Sequence, residues 1–498
     1  MWPSLVWAMM LVGAGYVTRS PQQEPPVPPA PAPSAEPEEA PSPDAVPGEL
    51  AAAPAPGTPT VSLAEAVEVA LTQNFSLLGA ADAVSAARFR YGAAKAEFLP
   101  SLTPAYERSE TGSAYSLSAR QRLPWLGGSL TASSSLRTID DVPLPESRSA
   151  DLRLVLSQPL LRGFGPNATF FSLRNSRRAE QAQKRSFELA RQQLAVDVAR
   201  AFYQVVQQRM LLAVASQSLQ RTRDLLRASE ARLKVGLVSK LDVFRAQLQA
   251  SQAEEAMVRS QAALQDALER FRFLLGFPPD AEFEPEAVDL SHAVEDELEP
   301  LEALVTRARE KRLDLQEVRD QVGDAQRAAS LAGQNLLPQI DLNLGVTGTG
   351  LGSTLGDAWK NVDRRVEVFL SGSYPLQRAQ DRAQKQVADL DVAARLRSLR
   401  QRELEIDSEV RAAVREIDQI RKSVELQQTG VDVAAQQHRL ATLRYQRGLA
   451  SNFDVVDAEG SLVLARSALV GLLTRYRVAR IDLLRVTGSL EVDREFAP

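Results

Sequence analysis

The sequence contains no cysteine and only two histidines among its 498 residues. The missing cysteine excludes disulfides, thiolate metal sites, iron–sulfur clusters, a cysteine nucleophile and a lipid-modified N-terminal cysteine. His292 and His438 are too few to form a three-histidine metal site. Basic residues number 58 and acidic residues 63, so the charge gives no reason to expect nucleic-acid binding. We therefore predict neither an enzyme nor a cofactor.

Long apolar runs are also scarce. The first 17 residues are apolar, but they are too short and too often interrupted by glycine for a comfortable membrane span. We predict a signal peptide over residues 1–19, with Val12 and Ala14 as a small-residue cleavage pattern, although no lysine or arginine precedes the run. Residues 20–60 are dominated by proline, alanine and glutamate and predict a disordered linker.

The remaining chain is a tandem duplication. The segment 235–243, which reads VGLVSKLDV, returns as RGLASNFDV over residues 447–455. Two proline-bounded blocks, 100–159 and 338–375, recur in the same order. The predicted boundaries are a first repeat over 61–276, an acidic linker over 277–300, a second repeat over 301–490 and a tail over 491–498.

Most of each repeat has the sequence pattern of long helices. We predict continuous helices over 168–235 and 377–447, and shorter ones over 61–99, 240–275, 301–337 and 452–487. Apolar residues recur every seven positions in the first long helix, which predicts knobs-into-holes packing. The seam consists of Val198, Val205, Leu212, Leu219, Leu226 and Leu233. Each pair of short helices matches one long helix in length, so the simplest packing is four antiparallel columns, two of them broken.

The two proline-bounded blocks change from helical spacing to alternation. Apolar residues occupy every second position around Leu154, Leu342 and Val366, over runs of the length that a tilted membrane-spanning strand needs. The glycine-rich segment 345–356 predicts a hairpin loop. The first block has room for an extra hairpin near residues 123–128. A small soluble β cap is the alternative, but in lipid an open sheet edge is forbidden and the hairpins must close with copies of themselves. Candidate interfacial aromatics are Tyr106, Tyr115, Trp125, Trp359 and Tyr374.

This doubled order of short helix, hairpins, long helix and short helix resembles the TolC family of outer-membrane efflux and secretion channels. The resemblance covers about residues 61–490. It implies a mainly α fold with a β part: a homotrimer whose long antiparallel coiled-coil helices form an α-barrel in the periplasm and whose hairpins form one transmembrane β-barrel in outer-membrane lipid. The acidic linker, with nine acidic residues and no basic one, then falls in an equatorial region, but its composition favours a solvated linker.

Two turns carry the candidate functional residues. Gly236 and Gly448 suit the left-handed position that ends a helix. Ser239 and Ser451 suit the N-cap of the next helix, and the aspartates three residues later suit its first turn, where a negative charge is favourable. This structural explanation accounts for all of these residues by itself.

The resemblance adds a function to the turns. It implies that a periplasmic adaptor, which links the channel to an inner-membrane transporter, docks on Val235, Gly236, Leu237, Ser239, Gly448, Leu449 and Ser451. It also implies a tunnel constriction or gate formed by Asp454, Asp457, Asp242 and Tyr445. Three copies bring six carboxylates from Asp454 and Asp457 to one ring, which favours cations. Ala450 stands where a basic partner is expected. We thus predict a passive outer-membrane conduit for efflux or type I secretion, with a soluble periplasmic coiled-coil scaffold or adaptor as the alternative.

Overall fold

The computed structural model describes residues 59–110, 112–124, 126–139, 147–290 and 298–495. All of them fall in one compact unit. The predictions for the signal peptide, for almost all of the linker at 20–60, for Trp125 and for the last three residues lie outside the described residues.

The described elements follow the chain in two repeats. The first contains β1 (Thr60–Val61), α1 (Leu63–Gln73), α2 (Phe75–Ala96), β2 (Ser101–Ser109), β3 (Gly112–Arg122), β4 (Ser129–Ile139), β5 (Ser147–Pro159), α3 (Pro166–Thr169), α4 (Phe171–Lys234) and α5 (Lys240–Leu275). After β6 (Glu284–Pro285), the second contains α6 (Leu301–Lys311), α7 (Leu313–Gln334), β7 (Gln339–Gly352), α8 (Leu355–Lys360), β8 (Asp363–Ser373), α9 (Ala379–Gln446) and α10 (Asn452–Val486), and α11 (Val492–Glu495) follows.

Two long helices form the continuous columns. α4 has 64 residues and α9 has 68, so each is about 100 Å long. α4 packs against α2 along one half and α5 along the other, and α9 packs in the same way against α7 and α10. The predicted heptad seam is buried in its first part, at Val198, Val205 and Leu219, and half-buried towards residue 233. The equivalent positions in α9, including Val410, Ile417 and Val424, are also buried.

The prediction of one unbroken helix over 61–99, and another over 301–337, is wrong. The first column breaks at Asn74, between α1 and α2, and the second breaks at Arg312, between α6 and α7. The Asn74 side chain accepts hydrogen bonds from the amides of Ser76 and Leu77 and donates one of 2.8 Å to the carbonyl of Leu274. Arg312 donates in the same way to the carbonyl of Val486, at 3.4 Å. The residue at each break therefore donates to a carbonyl at the C-terminal end of a neighbouring helix: Asn74 to α5 and Arg312 to α10.

The strands form one antiparallel sheet with the order β2-β3-β4-β5-β7-β8. The first block contributes four strands, so the extra hairpin predicted near residues 123–128 exists and consists of β3 and β4. The hairpin loop predicted over 345–356 is partly wrong, because β7 continues to Gly352. Glycine is required there by close approach: a Cβ on Gly350 would lie 1.9 Å from the carbonyl oxygen of Ala358 in α8. α8 thus lies directly on the end of β7.

The two faces of this sheet differ in chemistry, although Arg148 and Arg364 lie on the mainly apolar face and Val155 and Phe369 on the mainly polar one. Because the strand pairing is regular, residues in register share a face. One face is apolar and carries Leu102, Tyr106, Tyr115, Leu117, Leu130, Leu136, Leu152, Leu154, Leu156, Ile340, Leu342, Leu344, Val346, Val366, Val368 and Leu370. The other is polar and carries Thr103, Glu107, Ser116, Ser118, Arg120, Ser133, Ser135, Asp151, Arg153, Asp341, Thr347, Arg365 and Glu367. This alternation is the signature of a membrane-spanning β-barrel wall.

The aromatic residues predicted at the membrane interface lie on or near this sheet. Tyr106 and Tyr115 are cross-strand neighbours with ring centroids 4.8 Å apart. Trp359 belongs to α8, and Tyr374 follows the end of β8. All four are exposed in the single chain. None of the described helices is long and apolar enough to cross a bilayer.

The segment 277–290 of the acidic linker is packed and is more than a solvated connection. Its residues Glu284 and Pro285 pair with the β1 strand. Glu284 forms a buried ion pair of 2.9 Å with Arg209 of α4, and Arg209 also donates to the carbonyl of Pro285. The ring of Phe283 packs edge-on against Phe277 and Phe271. The linker is therefore attached to the middle of the bundle.

Candidate functional site: the paired turns at the helical tip

The two predicted turns have the same backbone geometry. Gly236 and Gly448 lie at φ values of 74° and 76°, the left-handed conformation that glycine adopts without strain. The amide of each glycine, and that of the leucine after it, donates back to the carbonyls of the final helical turn over 2.9–3.0 Å. This is the Schellman arrangement, which pairs carbonyls that the helix end leaves free. The helix ends at Gly236 and Gly448 are therefore dictated locally.

The helices that leave the turns begin with capping boxes. The Ser239 hydroxyl accepts from the amide of Asp242, and the carboxylate of Asp242 accepts from the amide of Ser239 at 3.1 Å. Ser451 and Asp454 repeat the pattern, with the Ser451 amide 2.7 Å from the carboxylate. These bonds from Ser451 lower the pKa of Asp454 below its usual range. The capping role predicted for these four residues matches their geometry.

The tip exposes apolar side chains. Val235, Leu237 and Leu449 are 69%, 73% and 74% exposed. They stand directly beside the two glycines, and both capping serines are exposed as well. A single exposed leucine is ordinary, but a valine and two leucines at two adjoining turns form an apolar end surface. We call this surface, formed by residues 235–237 and 448–449, the tip surface.

Asp242 and Tyr445, both predicted for the constriction, do not hydrogen-bond to each other. The Tyr445 hydroxyl lies 2.9 Å from the hydroxyl of Ser229 in α4 and is buried. The Asp242 backbone carbonyl instead accepts a bond of 2.7 Å from the Asn452 side chain. That bond joins the first turn of α5 to the first turn of α10. The two turns thus touch through a different pair of residues.

Arg232 is the main connection that sequence reasoning missed. Its guanidinium donates to the carbonyl of Tyr445 at 2.6 Å and to that of Gln446 at 2.9 Å. It also lies over the Tyr445 ring, 4.3 Å from the centroid, in a cation–π contact. Arg232 therefore caps the C-terminal carbonyls of α9 from α4, where a positive charge is favoured by the helix dipole.

Asp454 and Asp457 lie on one face of α10, three residues apart, and both are exposed. The carboxylate of Asp454 is held by its own N-cap, as described above. Asp457 has no hydrogen-bond or ion-pair partner within the part of the chain that the structure describes. Of the two carboxylates, that of Asp457 takes no part in the structure of the turn.

A buried ionic cluster lies further along the bundle from the tip. Arg221 of α4 binds Glu459 of α10 through two hydrogen bonds of 2.8 and 3.0 Å. His438 of α9 brings its Nε2 to 3.2 Å from the same carboxylate. The three residues join three helices. His438 is thus a packed and paired residue. Among the described residues, no group of three acidic or histidine side chains is arranged to hold a metal.

Comparisons with known proteins match this architecture. The family model described as outer membrane efflux protein matches residues 66–277 and 304–489. A probable efflux pump outer membrane protein, TtgC of Pseudomonas putida, is 24% identical over 438 residues, which are 86% of this chain and 83% of that protein.

Two solved structures have the same fold. That of CusC has a TM-score of 0.69 at 19% identity and is covered over 93% of its length, with 86% of this chain. The outer membrane protein VceC of Vibrio cholerae has a TM-score of 0.68 at 18% identity, with 86% of this chain and 96% of that one covered. The channel prediction is therefore confirmed over the soluble scaffold, and the chain belongs to the outer membrane efflux protein family.

Proposed function

We propose that three copies of this chain form a passive conduit from the periplasm to the outside, without catalytic chemistry of its own. The observation that supports this proposal most directly is the six-stranded sheet. It is mainly apolar on one face and mainly polar on the other, and it lies at one end of helices about 100 Å long. A single copy leaves both sheet edges unpaired, and lipid does not tolerate such edges. Energy for transport then has to come from a partner, which we propose to be an inner-membrane transporter.

The assembly is tested in membranes of a Gram-negative host that expresses the full chain. We expect the protein in the outer-membrane fraction after density separation, and a mass of three chains after detergent extraction. N-terminal sequencing of the same material tests the cleavage expected between residues 14 and 19. A soluble monomer from the periplasm contradicts the conduit and restores the scaffold.

We propose that the tip surface is where a periplasmic adaptor docks. The support is its exposed apolar character and its position at the end opposite the sheet. Leu237→Asp combined with Leu449→Asp is expected to abolish cross-linking to the adaptor without loss of the trimer. Leu464→Asp is a matched control, because Leu464 is 73% exposed on α10 but lies away from the tip. Equal cross-linking by all variants removes the tip surface as the docking site.

We further propose that Asp457, with Asp454, makes the narrow end of the passage cation-selective. Asp457→Asn removes a charge that has no structural partner, so we expect a shifted reversal potential in planar bilayers with no loss of stability. Asp454→Asn removes a charge and also weakens a capping box, which is worth about 1 kcal/mol. An unchanged reversal potential in the double variant places these aspartates away from the constriction.

A further inference from the structure

The two repeats contribute different numbers of strands to the sheet, and the number of strands sets the width of a barrel. The second repeat contributes two strands, β7 and β8, whereas the first contributes four. Since Pro100 matches Pro338 and Pro159 matches Pro375, the strands without a counterpart are β3 and β4. This extra hairpin, Gly112–Ile139, lies inside the sheet between β2 and β5, in continuous register with both.

The extra hairpin has the composition of a membrane wall. Its apolar face carries Leu117, Leu130 and Leu136 in line with the apolar residues of β2 and β5. Its polar face carries serines, Thr131 and three arginines, namely Arg120, Arg122 and Arg137. Both of its strands have 11 residues, enough to span a bilayer at a tilt. A hairpin that only decorated the rim needs no such apolar face.

The two free edges of the sheet fit a second copy of this chain. β2 and β8 are each paired on one side only in the described sheet. They run in opposite directions and start and end near Pro100 and Pro375, so β8 of one copy meets β2 of the next in antiparallel pairing. The apolar stripe continues across the junction from Val368 to Leu102.

We infer that three copies close an eighteen-stranded β-barrel, whose lumen is nearly as wide as the helical tunnel and does not limit cargo size. This inference rests on the proposed trimer. At about 4.8 Å per strand and a tilt of about 40°, eighteen strands give a backbone diameter of about 36 Å. Twelve strands, the number without the extra hairpin, give about 24 Å. Three sets of four helical columns spaced about 8–10 Å apart form a ring about 31–38 Å wide.

The wider barrel therefore continues the helical ring without a step. Barrels of 16–18 strands leave an aqueous channel, and here the inner wall presents charged and hydroxyl side chains. The cargo class that fits this exit is bulky and polar, and selection by size or charge falls to the tip.

Cysteine chemistry tests the wall, because the chain has no native cysteine. Thr103→Cys on β2 combined with Ser371→Cys on β8 places one thiol near the periplasmic end of each free edge, both on the polar face. Oxidation is expected to give covalent dimers and trimers. Thr103→Cys combined with Ser133→Cys, on the interior strand β4, is the matched control and is expected to remain monomeric in denaturing gels.

The width is tested with polymers added on the extracellular side of the full-length channel in planar bilayers. Deletion of residues 112–139 is expected to lower the excluded polymer radius by about a third, since diameter follows strand number. An unchanged radius in a stable trimer overturns the inference and leaves the proposed conduit intact. Absence of a trimer in the unaltered chain overturns the proposed function itself.

A second readout does not depend on the deletion variant folding. Single cysteines at Ser116 and Ser133, on the polar face of the extra hairpin, are expected to react with a water-soluble maleimide. Fluorophores attached at Leu117→Cys and Ser134→Cys, on the apolar face, are expected to be quenched by brominated lipid. Labelling of all four positions by the water-soluble reagent, without quenching, means that the hairpin stands outside the wall and overturns the inference.

Discussion

Replacing Arg221 with methionine tests whether the buried ionic cluster holds α10 against α4. Glu459 has a side chain only 3% exposed, and Arg221 supplies two of its hydrogen bonds. Methionine keeps much of the volume but leaves the carboxylate buried with His438 as its remaining close partner. Removing one partner of a buried ion pair costs about 3–5 kcal/mol, because the other charge stays desolvated.

The assay is hydrogen exchange of the α10 amides around Glu459 in the purified protein. If the cost appears as local opening, exchange there should accelerate by about 100-fold or more. Arg223→Met is the matched control on the same helix: its partner is Glu254, and their side chains are 50% and 60% exposed. An exposed pair is worth about 0–1 kcal/mol, so its loss should change little. Adding Glu459→Met to Arg221→Met should restore most of the protection. Equal effects of the Arg221 and Arg223 variants refute the reasoning.

Three further outcomes are expected from single substitutions. Gly276→Ala should destabilise the protein by about 2 kcal/mol, because its φ is 90° and the new Cβ would lie 2.7 Å from a backbone carbonyl oxygen. The control Gly460→Ala has open space around the new Cβ and should not destabilise the protein. Equal melting temperatures of the two variants contradict this prediction. Burial alone would raise the pKa of Asp314, but hydrogen bonds from two arginines hold it at about 2, below the ordinary 3.8. Its stabilisation is therefore complete above about pH 4 and is lost as the pH falls towards 2, and acid titration by circular dichroism should show that Asp314→Asn lacks this dependence. Arg232→Met removes two hydrogen bonds and a cation–π contact between α4 and α9, whereas Tyr445→Phe removes one hydroxyl contact. Arg232→Met should therefore raise single-channel conductance more than Tyr445→Phe, and the reverse order contradicts a role of Arg232 in holding α9 at the tip.

The features that sequence predicted well are those fixed by nearby residues. Helical periodicity, the glycine helix ends and the Ser-x-x-Asp capping boxes each depend on fewer than about ten consecutive residues. Their geometry therefore depends on neighbouring residues, and the same pattern occurs in both repeats. The extra hairpin was visible only as surplus length in the first block.

The features that sequence missed depend on distant partners. The break at Arg312 has no local signal, since arginine is neither a helix breaker nor a capping residue, and its side chain instead reaches the carbonyl of Val486. Asn74 is a favoured N-cap residue and caps α2 locally, but its bond to the carbonyl of Leu274 depends on a distant partner. The contact between Tyr445 and Ser229 joins residues 216 positions apart. The end of β7 was also predicted wrongly, because its glycines suggested a loop. These glycines belong to the strand and are required by the close packing of α8.

The polar connections near the tip break the symmetry that the duplication gives to the rest of the bundle. α4 supplies Arg221 and Ser229, which contact α10 and α9, whereas the equivalent positions in the second repeat hold Val433 and Ala441. The second repeat makes different contacts in return: Asn452 donates to the carbonyl of Asp242, and Arg466 donates to the Gln217 side chain. Any widening at this end that moves α9 and α10 away from α4 has to break the buried ionic cluster and the contacts of Arg232. If the barrel is as wide as its strand number implies, we propose that these contacts, rather than the barrel, limit what the channel admits.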